Sequence, residues 1–269
     1  MTAHANSHKL AHSAFSLVEL SIVLVILGLL VGGILSGQAL IRASELRSVA
    51  TQQQKFVAAI YTFRDKYFAI PGDMNNAQSI WGIAHATPAT CITTAGTGTQ
   101  TCNGDGDGNI NLSVGSNESF RIWQHLANAG LIEGQFDGIA HGATSYSVTG
   151  ANSPVGRLSN SIWWATWWGQ LTGQTWIFDG DYSKSFEFGG IEVNDDPAVP
   201  IFRPEELWNI DTKIDDGKPG LGKLAVVAAG AGTLSSCTTT VANNPATLTA
   251  DYLLSASSPT CAAIFRRQF

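Results

Sequence analysis

From Leu20 to Ile41 the chain carries no charged side chain. The run LSIVLVILGLLVGGILSGQALI is apolar almost throughout, broken only by small residues and one amide. Wound as an α-helix at 1.5 Å per residue it would span roughly 30 Å, the thickness of a bilayer's hydrocarbon layer. Lipid offers no partners to backbone N–H and C=O groups, so a helix, which satisfies its own, is the form such a run can take there. The residues behind it read differently, with Gly, Asn and Asp turns and scattered aromatics. The expected chain is therefore bitopic, with one apolar segment in front and one large domain behind.

The chain has 269 residues, enough for a domain with a substantial core. Hydrophobic residues make up 44% and charged residues 13%, which implies a surface largely of uncharged polar groups. The net charge of −6 gives no basic footprint for a phosphate backbone, so nucleic acid is set aside as a partner. Cys91, Cys102, Cys237 and Cys261 all follow the apolar run and form two sequence-local pairs. The reading favours Cys91–Cys102 and Cys237–Cys261, which would require an oxidising compartment such as the periplasm or cell surface. Four unlinked buried thiols are the alternative; a zinc site would lack any CxxC spacing.

The front end is not that of an ordinary secretory signal, which is cut after its apolar stretch. Residues 1–14, MTAHANSHKLAHSA, are polar, and the small residues Ser13 and Ala14 precede the apolar run. Cutting after Ala14 would remove a leader and keep the helix. Glu19 then stands at the head of the span, where a carboxylate is costly without a partner. It either rests at the headgroup boundary or pairs with the α-amino group of a neighbouring subunit's Phe15.

The segment Ala14-Phe15-Ser16-Leu17-Val18-Glu19-Leu20 followed by an apolar helix resembles the cleavage and methylation motif of type IV pilins and type II secretion pseudopilins. The resemblance covers about 30 residues. It implies a prepilin peptidase that cuts between Ala14 and Phe15 and methylates the Phe15 amine, with Glu19 serving subunit docking. It also implies other pilin subunits and an inner-membrane assembly platform as partners. The expected location is the bacterial inner membrane, single-pass, with the head in the periplasm and a filament after assembly. The chain departs from the pattern twice. Ala14 stands where glycine is usual, and Gly32, Gly33, Ser36 and Gly37 occupy the region where the family's helix often carries proline. Each glycine weakens a helix by roughly 1 kcal/mol relative to alanine, so this stretch can soften without proline.

The helical pattern continues past the apolar run. Leu46, Val49, Gln53, Phe56, Ile60, Phe63 and Tyr67 recur at alternating spacings of 3 and 4, one face of an amphipathic helix, and Pro71-Gly72 ends it. A single helix is expected from about Leu17 to Phe68, its front part (15–41) apolar all round and its rear part (42–70) a stem beneath a head of residues 71–269. A coiled-coil stalk competes, with barely enough heptads. The fold class is α+β: a long N-terminal helix packed on a mainly antiparallel β head.

Within the head, Ala69-Ile-Pro-Gly-Asp-Met-Asn-Asn-Ala77 is a turn-rich exit resembling a loosely defined subset of pilin-like proteins. Oxygen side chains then recur at Asn103, Asp105, Asp107, Asn109 and Asn111, with Gly108 and Ile110 placed as in a calcium loop. Calcium is the cofactor this pattern suggests. The twelfth position is Val114 rather than glutamate, and Glu118 would substitute in a longer loop. A metal-free Gly/Asp turn is the alternative.

Residues 118–130 read as a short helix with Phe120, Ile122, Trp123 and Leu126 on its core side and His125 at the surface or at a cap. Trp176–Phe178, Phe186–Phe188, Ile191–Val193 and Leu221–Ala229 read as strands. Residues from Pro204 read as a helix ending in Asp211, Asp215 and Asp216, either a second oxygen-rich site or a plain acidic turn.

Trp163, Trp164, Trp167 and Trp168 are either core and contact aromatics or an exposed platform for a carbohydrate. No catalytic motif such as G-x-S-x-G, HExxH or a phosphate loop occurs, and no enzyme activity is expected. The sequence therefore points to a pilus or pseudopilus subunit, minor on account of its size. A tip adhesin using the tryptophans is the second reading, and an anchored protein that never polymerises is the third.

Overall fold

A computed structural model of the chain describes residue 16 onward, apart from residues 88–89, 92, 113–116, 142–146, 167, 192–196, 198, 229–232 and 242. Helix α1 runs unbroken from Leu17 to Tyr67 over 51 residues. Two side-chain hydrogen bonds cap its start. The Ser16 hydroxyl accepts the Val18 N–H at 3.2 Å, and the Glu19 carboxylate accepts the Ser16 N–H at 2.8 Å. It contains no proline, and it ends where Phe68 takes the left-handed conformation at φ 54°. The Pro71-Gly72 turn follows. Gly72 has φ +93°, and a Cβ there would lie 2.7 Å from the Glu118 carbonyl, so only glycine admits this approach.

The chain divides into two units, residues 1–44 and 45–269. In the first, the described residues are the front of α1, and their apolar side chains are exposed, from Leu17 at 86% to Ile41 at 62%. α1 is the one helix among the described residues that is long and apolar enough to cross a membrane.

The second unit contains the rear of α1 and the head. Short helices α2 (Ala77–Trp81), α3 (Glu118–Asn128), α4 (Pro204–Ile214) and α5 (Leu234–Cys237) alternate with strands β1 (Ser161–Ala165), β2 (Gln170–Leu171), β3 (Gly180–Asp181), β4 (Phe186–Gly190), β5 (Leu224–Val227) and β6 (Ala262–Phe265). Four strands form an antiparallel sheet in the order β1-β4-β6-β5, and β2 pairs with β3. The α+β expectation, a long helix against a mainly antiparallel sheet, holds.

Both faces of the four-stranded sheet are covered, so its strands are buried at every position instead of alternating. On one face Trp163, Phe186, Phe188, Phe265 and Val226 meet Val49, Phe56, Ile60 and Phe63 of α1 and Trp123 of α3. On the other, Trp164, Ile264, Ala225 and Val227 pack with Phe120, Trp168, Ile177 and Tyr182. Phe56 is the hinge of the first layer, edge-on to Trp123 at 4.9 Å, Trp163 at 5.6 Å and Phe186 at 6.2 Å. Gln52 adds polar register, accepting the Trp163 indole N–H at 2.8 Å and donating to the Val155 carbonyl at 2.8 Å.

Three strand expectations change. Trp176–Phe178 contributes one isolated bridge, Ile177 to Val227, and is not a strand. Ile191 follows β4 as coil, and Glu192 and Val193 lie outside the described residues. The strand expected over Leu221–Ala229 is the shorter β5, and it is not the last: β6 lies between β5 and β4. Disulfides join Cys91 to Cys102 and Cys237 to Cys261, with Cα separations of 5.9 and 5.3 Å. The second ties the end of α5 to the residue before β6.

Candidate functional site

Three features carry the candidate chemistry. The first is the front of α1, where Ala14 and Phe15 lie outside the described residues. Glu19 is exposed, and its carboxylate accepts the Ser16 N–H at the start of its own helix. Gly28, Gly32, Gly33 and Gly37 have open space where a Cβ would stand, so nothing among the described residues requires glycine there.

The second is the loop 103–111. It folds around two carboxylates from elsewhere. Asp73, in the exit turn of α1, accepts the N–H groups of Gly106 at 2.7 Å and Gly108 at 3.0 Å. Glu118, the first residue of α3, accepts those of Asp105 at 3.0 Å and Asn111 at 2.8 Å. A carboxylate oxygen from each of Asp73, Asp105 and Glu118 falls within 4.8 Å of the others.

Of the loop's two aspartates, Asp105 joins this carboxylate cluster and Asp107 does not. Asn103 accepts the Gln78 N–H at 2.9 Å. Asp107 accepts the Asn109 N–H at 2.7 Å and the Asn111 side-chain amide at 3.0 Å. The sequence offers Glu118 to a longer loop and places Asp73 in a turn. Its position beside glycine N–H groups emerges from the fold, and the Pro-Gly-Asp turn was the one signal for it.

Burial raises the Glu118 carboxyl to about 7, opposed by its two backbone donors and reinforced by the charges of Asp105 and Asp73. Burial likewise raises Asp73 to about 6, with the Gly108 and Gly106 N–H groups pulling it down. Arg121, one turn along α3, is buried and donates to the Asn103 carbonyl at 2.6 Å. Burial lowers its pKa to about 10, and the Glu118 charge partly restores it. The loop thus closes on protein donors and a buried guanidinium.

His125 is a correction. It is fully buried, not at the surface. Its Nδ1 accepts the Gly72 N–H at 2.9 Å, and its Nε2 meets the Thr101 hydroxyl at 3.1 Å. Burial and the nearby Arg121 charge lower its pKa to about 3, so it is a neutral bridge between the α1 exit turn and the loop.

The third feature is the end of α4. Carboxylate oxygens of Asp211, Asp215 and Asp216 lie within 4.8 Å of one another. Asp211 is fully buried, and its Oδ2 accepts the Tyr252 hydroxyl at 2.9 Å. Its Oδ1 meets no donor at hydrogen-bond geometry among the described residues, while the Gly217 backbone N–H acts on the same carboxyl and opposes the rise in its pKa. Burial raises Asp211 to about 7; Tyr252 opposes the rise, and the charges of Asp216 and Asp215 add to it. Asp216 accepts the Lys218 N–H at 2.8 Å, and Asp215 accepts the Lys223 N–H. Gly222, at φ +64°, presses so closely on the Asp215 carboxylate that a Cβ would overlap it.

The tryptophan group belongs to the core. Trp163 and Trp164 are fully buried and Trp168 is 8% exposed, while Trp167 lies outside the described residues. These three rings form no surface platform.

The rear of α1 packs on an antiparallel sheet within the second unit. No family model, no curated protein and no solved structure matches this chain.

Proposed function

We propose that this chain is a structural subunit of a type IV pilus or type II secretion pseudopilus. In this reading it is inserted in the bacterial inner membrane with its head in the periplasm. A prepilin peptidase cuts it between Ala14 and Phe15 and methylates Phe15. An assembly platform then stacks the subunits through the front of α1.

The observation that carries the reading is α1 itself. Its rear supplies core residues to the head, while its front, from Leu17 to Ile41, presents exposed apolar side chains that the described residues do not cover. Such a surface calls for lipid or for like helices. A helix that exchanges one for the other can be stored in a membrane and then polymerised. The glycines at 28, 32, 33 and 37, without close neighbours among the described residues, allow close helix–helix approach in a filament. Glu19 is already held by Ser16 in the single chain, so docking exchanges a local N–H donor for the neighbour's α-amine.

Two measurements test this. Co-expression with a prepilin peptidase should yield a chain whose N-terminal peptide begins at N-methyl-Phe15. A chain that keeps Met1–Ala14 beside an active peptidase removes the proposal. Glu19→Ala should abolish filaments while the head's near-UV circular dichroism is unchanged; normal filaments from that variant remove Glu19's docking role.

A further inference from the structure

Phe68, just past the end of α1, works against the isolated chain in two ways. Its backbone is left-handed at φ 54°, and its N–H closes the last turn on the Arg64 carbonyl at 2.8 Å. Glycine takes that conformation freely, whereas a Cβ is strained there. Its ring is also 93% exposed, more than any other large apolar side chain among the described residues. Beside the ring opens a groove of about 510 Å³, with Phe68, Ala69, Ile70 and Met74 on its apolar side and Arg64 and Asp65 among its polar lining. Both of these charges are exposed. Successive residues of a helix do not face each other, so the two cannot neutralise one another. Arg64 lies over the Tyr61 ring at 5.8 Å, and neither charge forms an ion pair among the described residues.

We propose that this patch is a self-association surface, on which two copies of the chain pair about a two-fold axis beside Phe68. In a two-fold interface residue i of one copy meets residue j of the other, and j meets i, so the patch must be complementary to itself. This one carries a knob and a hole side by side. The Phe68 ring of each copy enters the groove of the other, and each Arg64 faces the other copy's Asp65. Pockets of about 300–1,000 Å³ accept molecules much larger than one phenyl ring, so the groove has the room. The charges select the occupant. A partner of one sign would leave Arg64 or Asp65 unanswered, whereas a second copy supplies the opposite of each. An apolar anchor edged by charges is also the layout of an interface centre with its polar rim. Every residue named here lies in the second unit, so the pairing does not use the apolar front of α1 and does not rest on filament assembly.

The test is sedimentation equilibrium of the full chain in detergent over a concentration series. Wild type should dimerise, and Phe68→Gly should weaken the dimer by about thirtyfold or more. At concentrations where both chains are monomeric, Phe68→Gly should unfold at a Tm about 2 °C higher or more, because the strain at this position is gone. Arg64→Asp and Asp65→Arg should each weaken the dimer by about tenfold, since each sets like charges across the axis. Mixed together, these two variants should pair with one another about as well as wild type pairs with itself. That recovery requires a reciprocal contact, because two chains that had each merely lost a surface charge would gain nothing from mixing. A wild-type chain that stays monomeric overturns the proposal. So does a dimer that Phe68→Gly and both charge reversals leave intact, which would assign the association to the front of α1. A lower Tm for monomeric Phe68→Gly overturns it as well, since the ring would then serve the fold of its own chain.

Discussion

Phe56→Ala is the sharpest test of how the stem is joined to the head. Phe56 is 6% exposed and sits edge-on to Trp123, Trp163 and Phe186, which come from α3, β1 and β4. Truncating a buried phenylalanine costs about 3–5 kcal/mol through lost transfer energy and the cavity left behind. Each edge-to-face pair adds about 0.5–1.5 kcal/mol beyond area, and the three surrounding rings are locked by their own strand and helix, which limits collapse into the gap. The expected loss is therefore near the upper part of that range, about 4 kcal/mol. For a unit of this size that corresponds to roughly 10 °C in Tm.

The assay is thermal unfolding of the full chain in detergent, followed by near-UV circular dichroism of the buried tryptophans. Leu24→Ala is the internal control: Leu24 is 69% exposed on the same helix, so its loss should stay within about 0.5 kcal/mol. A Phe56→Ala loss below about 1 kcal/mol, or equal losses from the two variants, would refute the claim that the rear of α1 is an integral layer of the head.

The remaining predictions concern the loop clamp and the C-terminal disulfide. Glu118 has a folded pKa of about 7, raised above its ordinary 4.5, so the folded state holds the proton more tightly. Its contribution is fully present below about pH 4.5 and is lost as pH rises through 7. Wild-type stability relative to Glu118→Gln should therefore fall between about pH 4.5 and 7 in chelator; a flat difference refutes the assignment. The comparison must be made against that variant because His125, lowered to about 3, acts in the opposite sense, losing stability as pH falls below its ordinary 6.5. Cys237→Ser closes no loop across the 24-residue separation and should cost about 3 kcal/mol in denaturant unfolding. A loss under 1 kcal/mol would show that β5 and the strand pairings of β6 alone hold the C-terminal region.

How far the sequence reveals this molecule depends on whether the information is local. The stem was legible because a 3-4 spacing over Leu46–Tyr67 needs only one helix and one apolar face, and the observed helix ends within a residue of the expected point. The helix at Pro204 was legible from its first-turn proline for the same reason. β6 was not legible. Ala262–Phe265 carries no alternation because both sheet faces are covered, and its place between β4 and β5 is set by partners far away in sequence. Trp176–Phe178 has strand-like residues, but its backbone offers one carbonyl, that of Trp176, to Ala228.

The same division separates the polar sites. A run of oxygen side chains at alternating positions reads locally as a metal loop, yet most of these groups are spent on their own loop's amides. Asp107 holds Asn109 and Asn111, and the carboxylates that organise the loop, Asp73 and Glu118, come from either side of it. A glycine-rich loop exposes N–H groups as readily as it displays carboxylates, and only the fold decides which is used. α3 shows the consequence. Glu118, Arg121, Gln124 and His125 would be the solvent face of an amphipathic helix, but the exit turn and the loop cover them and supply partners. The head nonetheless leaves several buried side-chain atoms, among them Ser119 Oγ, Trp123 Nε1, Trp164 Nε1 and Asp211 Oδ1, without a hydrogen-bond partner among the described residues.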